Sequence, residues 1–177
     1  MREQGGAVTV NRAPVLVLWS TVVAEQIGFE HEEALTLGRA LSGLTAHAKG
    51  VRLGIYEPSP GRVAEHRNSL KHGDATTIRL MGRDIPAVHT PDGLRALSKD
   101  KPIKPSAVER YLAGKFGEAL DDVRQAMKAL AKSMPPDELA RRGFSLYEAF
   151  RPEVKPGAAG WGQEGVLHLN RIAAAGG

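Results

Sequence analysis

The chain contains no cysteine. Disulfides, thiolate zinc sites and a cysteine nucleophile are thereby excluded, and a reducing compartment is the fitting one. Aromatic residues make up only 5% of the 177 positions, against 42% hydrophobic residues overall. A core of that composition is expected to be aliphatic. Long apolar runs are also missing: the longest, Ala13 to Ala24, carries Pro14, Ser20 and Thr21 and stops at Glu25. That is too short to span a bilayer, and Met1 to Gly6 lacks the apolar stretch of a secretory signal. The expectation is a soluble, cytoplasmic protein with no membrane contact.

Charge is present in ordinary amount, 25% of residues, and argues against wholesale disorder. Its distribution is uneven. Residues 1–48 hold 3 basic and 5 acidic side chains, residues 49–115 hold 13 and 7, and residues 116–177 hold 8 of each. The net +4 is therefore concentrated in the middle of the chain, and a basic middle points to an anionic partner.

The apolar spacing predicts a mainly α fold, a multi-helix domain with one small antiparallel β-hairpin. Residues 1–10 read as a flexible arm and 11–177 as a single helical domain; subdomains 11–72 and 90–177, joined through a hairpin at 76–89, are compatible with the pattern. Val15, Leu18, Trp19, Val22, Val23 and Ile27 form the stripe of an amphipathic helix at 12–27, with Asn11 as cap and Gly28 as stop. A second helix, 31–48, ends at Gly50 and carries a strip of small residues, Gly38, Ser42 and Thr45, beside its leucines. Close approach of another helix would explain the glycines Gly38 and Gly43 inside it, and the strip suits a homodimer seam.

Ser59-Pro60 starts a polar surface helix at 60–72. Strands at 76–81 and 85–89 flank a Gly82-Arg83-Asp84 turn, with Pro86 confining the second strand to an edge. Thr90-Pro91 opens a short helix to Leu97. Ser106 and Glu109 make a capping box for a helix at 106–115, and further helices follow at 118–133 and 137–150. The Gly- and Pro-rich tail holds Trp161, and 166–172 folds back as a short strand or helical turn.

Catalytic motifs are not visible. The six histidines show no metal-ligand spacing. Gly38 to Gly43 lies inside a helix and fails the context of a phosphate-binding loop. No catalytic, cofactor-binding or metal residues are assigned. An enzyme site assembled from scattered residues, such as His89 with Asp92 or Glu109, stays open as an alternative, as does an adaptor module acting through a homodimer.

The leading expectation is a non-enzymatic protein that binds nucleic acid or another polyanion through a basic central surface. Its candidate residues are Lys49, Arg52, Arg83, Lys99, Lys101 and Lys104. Three of these lysines precede a helix N-terminus, where free N–H groups favour phosphate. The cluster lacks interleaved aromatics for base stacking.

The stretches ALTLGRALSGLTAHAKG, HTPDGLRALSKDKPI and YEAFRPEVKPGAAGWG resemble a group of bacterial proteins to which no function is assigned. The resemblance implies a bacterial cytoplasmic origin and brings no activity, cofactor or binding residue.

Overall fold

A computed structural model describes residues 7–52, 75–98, 101–153 and 164–175. At its centre is α1 (Arg12–Gln26), and every residue from Pro14 to Ala24 is buried. The sequence reading made this helix amphipathic, but no polar face is turned to water along that run. A helix apolar on all sides belongs in the middle of a core, and α2, α3, α4 and α5 (ranges below) all contact it.

The partner of α1 in the hairpin is α2 (His31–Arg52). Gly28, with φ of +123°, turns the chain between them, and Phe29 N–H donates to Ala24 O at 3.0 Å. The predicted stop at Gly50 is overrun by two residues. Gly38 is the crossing point: a Cβ there would lie 2.6 Å from Val17 O and 2.5 Å from Thr21 Oγ1. Ser42 Oγ donates to Ala13 O at 3.3 Å. Gly38 and Ser42 of the small-residue strip thus pack against α1 of the same chain. Gly43 has no atom within 4 Å of its would-be Cβ, so close approach explains only the first of the two glycines.

The fold is mixed α/β, not mainly α with one hairpin. A four-stranded antiparallel sheet runs in the order β2 (Ala75–Leu80), β3 (Arg83–Thr90), β4 (Gly93–Ser98), β5 (Lys101–Pro102), and a separate pair joins β1 (Ala7–Asn11) to β6 (Glu164–His168). Ala7 to Val10, the end of the stretch expected as an arm, therefore belong to a strand. The expected hairpin is present, with its turn at Met81-Gly82 and Arg83 already in β3. Both turn residues have positive φ, 48° and 82°, as a tight two-residue hairpin turn requires.

Pro86 lies on the central strand β3, not at an edge. The register explains how. Opposite Thr77, Pro86 alternates with the hydrogen-bonded pairs Leu80–Arg83 and Ile78–Ile85. Its missing N–H therefore faces the β4 side, where pairing reaches only to Ala87 and Ala96.

The predicted helix at 90–97 is the turn and strand β4. Thr90-Pro91-Asp92-Gly93 folds as a tight turn, with Asp92 N–H donating to Thr90 Oγ1 at 3.2 Å and Thr90 Oγ1 donating to Gly93 O at 2.8 Å. Leu94, Arg95, Ala96 and Leu97 are all buried, so both faces of β4 are covered.

The remaining helices are α3 (Pro105–Phe116), α4 (Leu120–Lys132, after a 3-10 turn at Gly117–Ala119), α5 (Pro136–Phe150) and α6 (Leu169–Ala175). The capping box expected at Ser106 does not form: Lys104 is the N-cap, Pro105 is in the first turn, and Glu109 is engaged elsewhere. The core is aliphatic in number, but its largest fully buried side chains are Trp19, Tyr147 and Phe150. Trp19 meets Phe150 edge-on at 5.3 Å and donates through Nε1 to Gly143 O at 2.8 Å. The predicted helix at 60–72 and Trp161 lie outside the described residues. Among those described, no helix is long and apolar enough to cross a membrane.

Candidate polyanion-binding face

The residues expected to bind a polyanion are only partly brought together. Lys49 and Arg52 fall on the last turns of α2, and their side chains, like the whole of Lys99, lie outside the described residues. Arg83 opens β3 and is half-buried, while Lys101 on β5 and Lys104 at the N-cap of α3 are exposed. Antiparallel pairing puts the β2–β3 turn and the β4–β5 turn at the same end of the sheet. Arg83 and Lys101 thus open strands that flank β4, at the same end of the sheet. Arg79, at the same end, is paired with Asp84 at 3.0 Å.

A second group, not singled out from sequence, continues from Lys104. Lys104, Tyr111 and Lys115 are seven and eleven residues apart, close to two and three full turns, so they follow one side of α3 over about 16 Å. The Arg39 guanidinium of α2 stands 5.3 Å from the centre of the Tyr111 ring and the Lys115 ammonium 5.9 Å. Both cations are held by the ring's negative face. Burial pushes the Tyr111 phenol above its ordinary pKa, with the positive charge of Arg39 acting in the opposite sense. Among the described residues, no carboxylate lies within ion-pair distance of Arg39, Arg83, Lys101, Lys104 or Lys115. Tyr111 is thus an aromatic within the basic group, its ring occupied by two cations. Its spacing from Lys104 and Lys115 was the available signal; the approach of Arg39 from another helix had none.

The opposite flank of α3 carries an ionic chain. His31, on the first turn of α2, lies between two carboxylates: Nδ1 is 3.0 Å from Glu25 Oε1 and Nε2 is 2.5 Å from Glu109 Oε1. The other oxygen of Glu109 is 3.8 Å from Arg124 Nη2 on α4. Burial disfavours the charged imidazole, but the hydrogen bonds to Glu109 and Glu25 outweigh it and raise its pKa above the ordinary value. The two carboxylates sit against opposite ring nitrogens and do not converge on one point. Among the described residues, no group of histidines and carboxylates is arranged to hold a metal ion.

The alternative pairing of His89 with Asp92 or Glu109 is not formed. His89 is exposed on β3, and among the described residues no hydrogen bond joins it to either. A shallow groove of about 240 Å³ between α1 and α4 is lined by Val22, Glu25, Gln26, Lys128 and Lys132.

Compared with known proteins, the chain matches no family model, no curated protein and no solved structure.

Proposed function

We propose that this protein binds nucleic acid through its phosphate backbone, using the flank of α3 and the adjoining end of the four-stranded sheet. The observation that carries the reading is the set Arg39, Tyr111 and Lys115, with two cations fixed over one ring and Lys104 on the same side of the helix. Cations positioned in advance lose little side-chain freedom when they meet phosphate. The set stands clear of carboxylates among the described residues, so its charge is not neutralised internally.

Binding of this kind is electrostatic and falls steeply with salt, by a slope of about 0.9 for each phosphate contacted. The test is fluorescence anisotropy with labelled single-stranded and duplex oligonucleotides across a salt series. Replacing Arg39, Lys104 and Lys115 together by Gln is expected to weaken binding to both and to flatten the salt slope by up to about three such increments. Neutralising Lys99, Lys101 and Lys104 is expected to act in the same direction. Wild-type protein that binds neither oligonucleotide at about 50 mM salt would refute the reading.

A further inference from the structure

His31 makes two contacts that one protonation state alone can satisfy. A neutral imidazole offers one donor and one acceptor, and an ionised carboxylate only accepts. With Glu25 Oε1 at 3.0 Å from Nδ1 and Glu109 Oε1 at 2.5 Å from Nε2, both ring nitrogens must donate, so the geometry is that of an imidazolium. The two carboxylates belong to different elements. Glu25 is on the last turn of α1 and Glu109 is in α3.

We infer that His31 is a proton-operated latch that fastens α3 to the end of the α1–α2 hairpin. With the proton in place, α2 reaches α1 and α3 at once through a single ring. When the proton leaves, one carboxylate faces an acceptor nitrogen, and that hydrogen bond is lost. The neighbouring charges set the direction of the response. Glu25 from α1 and Glu109 from α3 favour the charged ring, whereas Arg124 from α4 competes for Glu109 through its second oxygen. On the strand side, Glu32 of α2 is taken by Arg95 of β4 at 3.5 Å, and Glu33 is bound to backbone N–H groups. Glu109 is thus shared between a titrating and a permanent cation, and α3 stays tied to α4 when it is released from His31.

The fitted range is the one in which histidine changes charge, between about pH 5 and about pH 8, where the carboxylates remain ionised. The latch is independent of the polyanion reading, because both of its readouts are taken on free protein. NMR titration follows the His31 ring, and hydrogen exchange follows the amides of α3, corrected for the intrinsic pH dependence of exchange. In wild type, His31 is expected to titrate above the ordinary value of about 6.5, and Glu25→Gln and Glu109→Gln should each lower that midpoint. Protection of α3 should fall several-fold as pH rises through the wild-type midpoint, while α5 holds level. His31→Gln should leave the protection of α3 indifferent to pH over the same range. His31 titrating at or below its ordinary value would overturn the inference, as would equal pH dependence of α3 in wild type and His31→Gln.

Discussion

The hydroxyl of Thr36 accepts the backbone N–H of Ala96 at 3.0 Å, so a side chain of α2 stands where a neighbouring strand's carbonyl would otherwise lie. Two residues earlier in β4, Leu94 N–H donates to Glu33 Oε2 at 3.0 Å. β5 covers β4 for only two residues; beyond it α2 accepts the N–H groups of Leu94 and Ala96, while their carbonyls accept from Arg95 Nη1 and Ile103 N–H. An exposed row of unpaired backbone groups is thereby avoided. Thr36→Val keeps the shape and removes the acceptor, leaving the buried Ala96 N–H unpaired at a cost of about 1–3 kcal/mol. Thr36→Ser keeps the hydroxyl and should recover most of that loss. Urea unfolding checks both, with a lower midpoint and unchanged slope expected for Thr36→Val.

Three glycines in helices should respond differently to alanine. At Gly38 the added Cβ would meet Val17 O at 2.6 Å, a backbone atom that cannot step aside. Gly38→Ala should therefore cost several kcal/mol, about 2 or more, by driving α1 and α2 apart. At Gly143 the obstacle is Met81 Cγ at 2.8 Å, a side chain in the β2–β3 turn. Its cost should be smaller, about 1 kcal/mol after the gain in helix propensity, and Met81→Ala should offset part of it. Gly43 has open space and should stabilise by about 0.5–1 kcal/mol on change to alanine. Thermal unfolding of the three variants should rank them in that order.

Stability should vary with pH at two ends of the scale. The folded pKa of His31 lies above its unfolded value, so its contribution is full below about 6.5 and is lost as pH rises through the folded pKa. Burial raises the Tyr147 phenol, and the cations Arg151 and Arg12 only partly offset this. Its contribution is full below about pH 10 and is lost as pH rises through the higher folded pKa. Denaturant midpoints should fall across the histidine range in wild type but not in His31→Gln. They should fall again in alkali, less so in Tyr147→Phe.

The Tyr111 ring should matter to oligonucleotide binding through the cations it holds. Tyr111→Phe retains the ring and is expected to bind within about twofold of wild type. Tyr111→Leu frees Arg39 and Lys115 and should weaken binding about two- to fivefold, the equivalent of roughly 0.5–1 kcal/mol. Equal affinities for the two variants at low salt would remove the ring from the account.

The long helices were legible because their apolar residues recur with helical period, and the β2–β3 hairpin because its turn carries a glycine between β-formers. β4 was not. Its four buried residues, Leu94 to Leu97, show no alternation, since both faces are covered, and a short apolar run fits strand and helix equally. Thr-Pro-Asp-Gly carries both a turn signature and the Thr-Pro pattern of a helix start, and the turn prevails. β1 and β6 were out of reach for a different reason: Ala7 pairs with His168, and no local pattern announces a partner that distant. Of the site, Lys101 and Lys104 were readable as exposed cations beside a helix start. The convergence of Arg39 on Tyr111 depended on how α2 and α3 pack, which spacing within either helix does not contain.

The all-round burial of α1 also bears on how the chain is made. This helix leaves the ribosome well before α4 and α5, which cover much of it and end only at Phe150. About 125 residues must follow Ala24 before that cover is complete, or roughly 6–25 s at ordinary rates of synthesis. Until α4 and α5 follow, Val15-Leu16-Val17-Leu18-Trp19 is a nascent apolar segment only partly shielded, first by α2 and then by α3. It is the stretch on which a ribosome-associated chaperone should be found.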